Sequence, residues 1–520
     1  MKILHQLRLP VGTRASLKES AARRLKIAVD EIDEVLVIKR SLDARKRGRP
    51  YYVYSVRVRL RGEPPPPPPA PLPRLAWRDP LPVIVGSGPA GLFAALRLAD
   101  QGVRSILIER GQPVHPRTVS INMFWKHGRL DPESNVCFGE GGAGLFSDGK
   151  LITRIRSPHI EYVLRRLVDF GAPPEIRWES NPHVGSNRLR TVIQRLAAYL
   201  REQGCTMHFN SRLVELLLDG ARRVRGIRLA DGRRLEASHL ILATGHSAAD
   251  VYAMLRDQGV ELEAKPFAVG IRVEHPQHWV NTCRLGARFA RDLGAASWKQ
   301  VWHDHARDRH VYSFCMCPGG YVLSSGTEPD GIVVNGMSNF SRGSKWANAA
   351  LVSPVDLNEV RGGDPFRLHR FQRELEKRAF EAVRERGGGH RLPAQRIGDF
   401  MDGKASTSLP RVSSPSGAIP VPMDAIFPDK RLDALREAIA AFDRRMPGFI
   451  TRDGVMLAVE SRTSAPIRIP RDPVTFQSVN TPGLYPVGEG AGYAGGITSA
   501  AVDGIRAVAA IGAKGNIPTG

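Results

Sequence analysis

The chain has 520 residues, 42% apolar and 24% charged, the composition of a soluble globular protein with room for two or three domains. No apolar run reaches the roughly 18 residues of a membrane span, and the opening MKILHQLRLPVGTR is too short in apolar length for a secretory signal, so a cytoplasmic protein without membrane insertion is expected. Five cysteines suit a reducing compartment, and the net charge of +23 admits a nucleic-acid partner, although its arginines run along the whole chain as on a solvated basic surface.

Residues 1–62 read as a small β-α-β-β domain. Ile3 to Leu9 alternates as a strand, Ser16-Leu17-Lys18-Glu19 is a capping box opening a helix to about Ile27, and Val35–Ile38 and Tyr52–Leu60 read as two more strands. This unit has 16 Lys/Arg against 6 Asp/Glu, with Arg45-Lys46-Arg47-Gly48-Arg49 in the hairpin connection. Without RNP-like aromatics or zinc-ligand spacing, a solvated hairpin on a docking domain is favoured over a nucleic-acid module. Residues 63–80 contain the run Pro64 to Pro69, a stiff polyproline spacer.

Residues 81–111 follow as a strand, a tight turn, a helix and a second strand closing on an acid. Val83-Ile84-Val85 leads into Gly86-Ser87-Gly88-Pro89-Ala90-Gly91, and the strand Ser105–Ile108 ends on Glu109, 18 residues after Gly91. That arrangement holds the ADP half of a dinucleotide. Gly86 permits the turn, Gly88 lets the main chain approach a pyrophosphate, Gly91 packs the helix on the strand, and the helix N-terminus faces the phosphates. The acid stands near the spacing of about 20 expected for a ribose contact.

Gly111 to Lys150 shows little regular periodicity. Its segment Phe138 to Gly149 is glycine-rich, suited to bringing N–H groups near a ligand. Helices near Tyr162–Phe170 and Leu189–Glu202, a strand Met207–Asn210 and an antiparallel pair Leu213–Leu218 and Val224–Leu229 lead to the buried strand His239–Leu242 ending in Ala243-Thr244-Gly245, whose small residues permit close approach of a cofactor. From Lys265 to Thr475 short strands and loops, with helices near Phe366–Arg386 and Leu432–Phe442, indicate an inserted substrate domain. The strand Leu484–Val487 then enters a second glycine-rich turn and a helix to about Ile511, a grip that a long flavin needs and NAD does not.

VIVGSGPAGLFAALRLADQGVRSILIERG, FGEGGAGLFSDGKL, LILATGHS and LYPVGEGAGYAGGITSAAVDG resemble the FAD-binding segments of glutathione-reductase-like flavoproteins. With KPFAVGIRVEHPQ, YSFCMCPGG, VNGMSN and ESRTSAPIRI, the chain is similar to bacterial FAD-dependent dehydrogenases of uncharacterised substrate. The resemblance implies an α/β fold: a Rossmann-like FAD-binding domain (81–264 and 476–520) with an inserted mixed α+β substrate domain (265–475). It implies non-covalent FAD, with Gly86, Ser87, Gly88, Ala90 and Gly91 at the pyrophosphate, Glu109 at the ribose, Arg110, Arg117, Gly142 and Ser147 beside the cofactor, and Gly488, Glu489, Gly496, Ile497 and Thr498 at the ribityl and pyrimidine end. Many relatives have Asp where Glu489 stands.

Glu460 and Arg462, just before the return to the flavin domain, are candidates for substrate handling, the arginine toward a carboxylate; the alternative is an ion pair between the two. Cys315 is a candidate redox thiol, but Cys315-x-Cys317 differs from C-x-x-C and is expected to set its thiols on opposite faces of a strand. His303, Asp304, His305 and His310 are read as a polar loop and no metal is assigned. The expected function is hydride transfer between a small molecule and flavin N5, with NAD(P)H a possible donor although no second GxGxxG occurs, in a monomer or homodimer. Alternatives are an RNA-modifying flavoenzyme recruited through the basic domain, and a flavin-binding scaffold or sensor.

Overall fold

Val83–Val85, Ile106–Ile108, Thr206–His208, Leu240–Leu242 and Leu484–Pro486 form one parallel five-stranded sheet in the computed structural model, which describes residues 1–45, 50–68 and 70–515. In space the order is 484, 240, 83, 106, 206, so direction of growth reverses beside Val83–Val85. In such sheets the ligand crevice opens at the carboxyl ends of the strands, where the order reverses. The three-residue strands are short, and the Val83–Val85 and Leu240–Leu242 strands are buried throughout, as apolar runs covered on both faces must be.

The helix Pro89–Asp100 buries nine of its residues, apolar on nearly every side, because it lies between this sheet and the C-terminal helix Ile497–Gly515. Each Leu or Phe taken fully out of water contributes roughly 1.5–3 kcal/mol. Contact between the two helices is main-chain close: a Cβ on Gly504 would stand 2.1 Å from the Ala90 carbonyl oxygen.

The region 111–150 departs from the expectation of little regular structure, for Val114–His127 is a helix. Its buried residues Val114, Arg117, Ile121 and Trp125 do recur at helical spacing, but one of the four is a charged residue, which masks the apolar stripe. Helices Ala249–Asp257 and Gln277–Leu285 are further elements that the local pattern does not announce. Elsewhere the elements appear near their expected places, as His159–Asp169, Ser186–Glu202, Arg367–Glu385 and Asp429–Arg445.

Between Phe267 and Glu460 the chain builds a seven-stranded sheet with a separate apolar core, against which helices Arg367–Glu385 and Asp429–Arg445 pack. Its middle strands Phe267–Pro276 and Val455–Glu460 pair antiparallel and are almost wholly buried.

The N-terminal unit is the sheet Lys2–Pro10, Tyr51–Leu60, Ile32–Asp43 with the helix Leu17–Leu25, whose Ser16–Glu19 capping box is present. It joins the flavin domain through main-chain bonds between Arg40 and residues 178 and 180 and through an Arg40–Glu179 ion pair. Arg45 pairs with Asp43; residues 46–49 and Pro69 lie outside the described residues. The second half of the proline-rich segment is docked rather than free: Leu72, Leu75 and Trp77 pack on the flavin-domain core, and the Leu75 N–H donates to the Gln101 carbonyl at 3.0 Å.

Candidate functional site

The carboxyl ends of the parallel strands open into a cavity of about 380 Å³. Its floor is main chain. Gly86 has φ +105°, and a Cβ there would stand 2.2 Å from the Ala243 carbonyl oxygen; a Cβ on Gly91 would stand 1.9 Å from the Gly86 carbonyl oxygen. No other residue fits either place, which packs the turn, the neighbouring strand and the helix into direct contact. Gly88 caps the helix Pro89–Asp100 without a side chain, and Gly142, at φ +62°, faces it closely enough that a Cβ would stand 2.9 Å from the Gly88 Cα. At the other end Gly488, Gly495, Gly496 and Ile497 bring the N-terminus of the helix Ile497–Gly515 to the same cavity. Two helix N-termini, each with free N–H groups, thus open on one space suited to phosphate and to a ring that gains negative charge.

Of the residues assigned from sequence, Gly86, Gly88, Ala90, Glu109, Arg110, Gly142, Ser147, Ala243, Gly245, Gly488, Glu489, Gly496 and Ile497 line this cavity, as do Cys315, Glu460 and Arg462. Ser87, Gly91, Arg117 and Thr498 stand one layer behind it. Ser87 donates through N–H (2.9 Å) and Oγ (2.7 Å) to one Glu109 carboxylate oxygen, while the Gly111 and Gly139 N–H groups donate to the other, each at 2.9 Å. Glu109 therefore clamps the first turn to the glycine-rich segment with four protein donors. Arg117 is fully buried and donates to the carbonyls of Asn135, Val136, Gly139, Glu140 and Gly142. It shapes that segment from behind instead of lying beside the cofactor, and desolvation holds its guanidinium down at about 10. Thr498 Oγ1 donates to the Leu151 carbonyl at 2.8 Å. Arg110 lies over the Phe138 ring and pairs with Glu133 and Asp250 at 2.9 and 2.8 Å.

Glu489 is different from these. Its carboxylate lines the cavity, no hydrogen bond from the described residues reaches it, and burial pushes it up to about 8 against the weaker pull of Lys265. A half-buried carboxylate with open acceptor positions fits the hydroxyls of a ribityl chain.

The substrate-handling assignments meet a different arrangement. Glu460 and Arg462 do not pair with each other. Glu460 takes a bidentate bond from the buried Arg272, at 2.8 and 2.9 Å. Arg462 spends all five N–H groups on Glu376, Glu328, Ser247 and Thr327 at 2.6–3.1 Å, which leaves none for a substrate carboxylate. Both partners lie far away in sequence, which local spacing does not reveal.

The Cys315–Cys317 expectation is also corrected: residues two apart on a regular strand share a face rather than oppose, and here a bulge at Cys315, with φ +43°, sets the two side chains close together. His303, Asp308 and His310 place their ligand atoms within 4.8 Å of one another on a hairpin that contributes nothing to the cavity wall. Lys150, Asp148, His246, Phe314 and Asn335 line the cavity without being singled out by the sequence, although Asp148-Gly149-Lys150 ends the glycine-rich stretch. His246 is kept neutral by burial, its value lowered to about 4, and its Nδ1 lies 2.7 Å from Ser247 Oγ.

This parallel sheet, its glycine turns and the paired helix N-termini define a Rossmann-type dinucleotide flavoprotein. Family models agree: residues 82–121 match an FAD binding domain, 266–463 match "FAD-dependent protein, C-terminal domain-like", and 1–59 match a domain of unknown function. A Clostridium beijerinckii protein described as "Uncharacterized protein" is 39% identical over 96% of both chains. The chain belongs with it to a family of FAD-dependent oxidoreductases, and FAD is its cofactor. A menaquinone reductase of Mycolicibacterium smegmatis is 29% identical over 31% of this chain and 37% of its own. Among solved structures, the halogenase PltM in complex with phloroglucinol and FAD matches at TM-score 0.39 and 10% identity, over 84% of this chain and 69% of that one. No helix among the described residues is long and apolar enough to cross a membrane.

Proposed function

We propose that the protein is a dehydrogenase moving hydride between a small organic substrate and the flavin. The observation that carries this reading is the mixed origin of the cavity wall. One side is the glycine main chain of the FAD domain, and the other is Phe314, Cys315, Asn335 and Glu460 of the insertion. FAD supplies the two-electron chemistry when bound. The protein's own groups hold and orient. Gly88, Gly142 and the helix N-terminus at Pro89 bind the pyrophosphate, and Glu489 accepts from the ribityl hydroxyls. Neutral His246 is an uncharged hydrogen-bonding group in the wall, and the half-buried Lys150 ammonium, paired with Asp148 at 3.1 Å, is a cation beside the substrate space.

The test is anaerobic mixing of the purified yellow protein with NADH, NADPH and a panel of small organic acids, followed by the flavin absorbance. Bleaching by one class of donor is expected. A flavin that dithionite bleaches while every physiological donor leaves it oxidised sinks the dehydrogenase reading.

A further inference from the structure

Cys315 and Cys317 have no part in the binding scheme above, yet the insertion carries them to the flavin cavity. The strand Arg309–Cys317 pairs with Trp346–Val355, and its register slips between Phe314, opposite Ala350, and Cys317, opposite Asn348. Cys315 stands at that bulge with φ +43°, a conformation uncommon outside glycine. The bulge presents Cys315 in the same wall as Gly142, Gly488 and Gly496, with Cys317 fully buried beside it. The two thiols lie close together, and Cys317 Sγ donates to the Cys315 carbonyl at 3.3 Å.

The surrounding charges favour one thiolate and one thiol. Lys150 donates to the Met316 carbonyl between the two cysteines, and Arg272 Nη1 donates to the Cys315 carbonyl at 3.1 Å. The nearby carboxylates are already paired, Asp148 with Lys150 and Arg342, and Glu460 with Arg272. The bond from Cys317, with Lys150 and Arg272 close by, holds the Cys315 thiol well below its ordinary value, while Cys315 and burial hold Cys317 well above it. A low-lying thiolate beside a protonated thiol in a cation-lined pocket is the condition for disulfide chemistry. Even a fully extended strand sets residues two apart at about 6.6 Å, inside the range of roughly 4.4–6.8 Å that a disulfide spans.

We propose that Cys315 and Cys317 form a dithiol/disulfide couple that exchanges two electrons with the bound flavin. This rests on the oxidoreductase reading of the cavity and adds an electron route within it. In the oxidative direction the Cys315 thiolate joins Cys317 Sγ, forming the S–S bond as the Cys317 S–H bond breaks. Two electrons and that proton pass to oxidised FAD, giving the reduced flavin anion. The reverse step restores one thiolate and one thiol.

Two measurements test it. In the first, air-oxidised holoprotein is titrated anaerobically with dithionite. The couple requires about four electrons per flavin, two for the flavin and two for the disulfide, against about two in Cys317→Ser. In the second, apoprotein treated with diamide is alkylated with iodoacetamide and mapped by mass spectrometry. A linked Cys315–Cys317 peptide is expected. Uptake of about two electrons by the wild type with both thiols still alkylated overturns the couple and leaves the oxidoreductase reading standing. So does a link from Cys315 to Cys137, the other thiol of the cavity wall. A linked peptide from a chain that takes up no FAD on reconstitution overturns the relay and the proposed function together.

Discussion

Glu489 carries the clearest residue-scale consequence, because its carboxyl lines the cavity without a hydrogen-bond partner among the described residues and is pushed up to about 8 by burial. Hydroxyl donors favour the ionised form of a carboxylate. FAD affinity is therefore expected to weaken as pH falls below about 8, where free Glu489 takes up a proton, and to level off above it. Glu489→Gln removes that slope and Glu489→Ala weakens FAD binding about tenfold, as loss of one or two hydrogen bonds of about 1 kcal/mol each requires. Fluorescence titration with FAD at about pH 6, 7 and 9, on either side of that value, measures both. Glu274 gives a second pH effect, in stability. Buried and bonded only to Ser413, it is raised to about 7 by desolvation. Between the ordinary carboxylate range and about pH 7 the folded state keeps a proton that the unfolded chain has lost. Its contribution is present at low pH and is lost as pH rises through that window. Thermal unfolding at about pH 5 and about pH 8 should show a smaller fall for Glu274→Gln than for the wild type.

Among the elements, the helix Pro89–Asp100 decides whether a cofactor is held at all. Gly91 is the point where it touches the turn, and a methyl group there would overlap the Gly86 carbonyl oxygen at 1.9 Å. Gly91→Ala must push the helix N-terminus off the turn and the pyrophosphate N–H groups with it. The expected result is a colourless, folded protein, read by near-ultraviolet circular dichroism and by the absence of flavin absorbance. Retention of stoichiometric FAD would contradict this. The strand, turn, helix and closing acid at 83–109 are legible because each is local and has its own residue signature. The helix Val114–His127 is not, since its buried face includes Arg117, whose acceptors are five carbonyls reached only after the chain folds back.

For the whole molecule, the cavity exists because two separately cored units meet, and Arg462 joins them. It binds Ser247 of the flavin domain on one side and Glu376 and Glu328 of the insertion on the other. Arg462→Met leaves the buried Glu376 and the half-buried Glu328 with Arg373 as their remaining cation, so the loss is expected to fall below the roughly 3–5 kcal/mol of a fully orphaned buried charge. Urea unfolding is expected to show that loss with FAD absent, so that cofactor affinity is not the cause. Arg462→Lys, which restores the charge without the five-donor fork, is expected to recover only part of it.

The sequence by itself determined the architecture of cofactor binding: the glycine turns, the strand ends, the FAD-length pair of grips and the insertion between them. These follow from short-range requirements, where only glycine avoids a collision or only a buried strand tolerates an unbroken apolar run. Tertiary structure decided the charged partners. Arg272 with Glu460 and Arg462 with Glu376 are separated by 188 and 86 residues, and a buried ion finds its counter-ion by proximity in space, which no local periodicity encodes. It also decided that Glu109 is a clamp with four protein donors and that Cys315 and Cys317 meet at a bulge, since both depend on how strands from different parts of the chain register against each other.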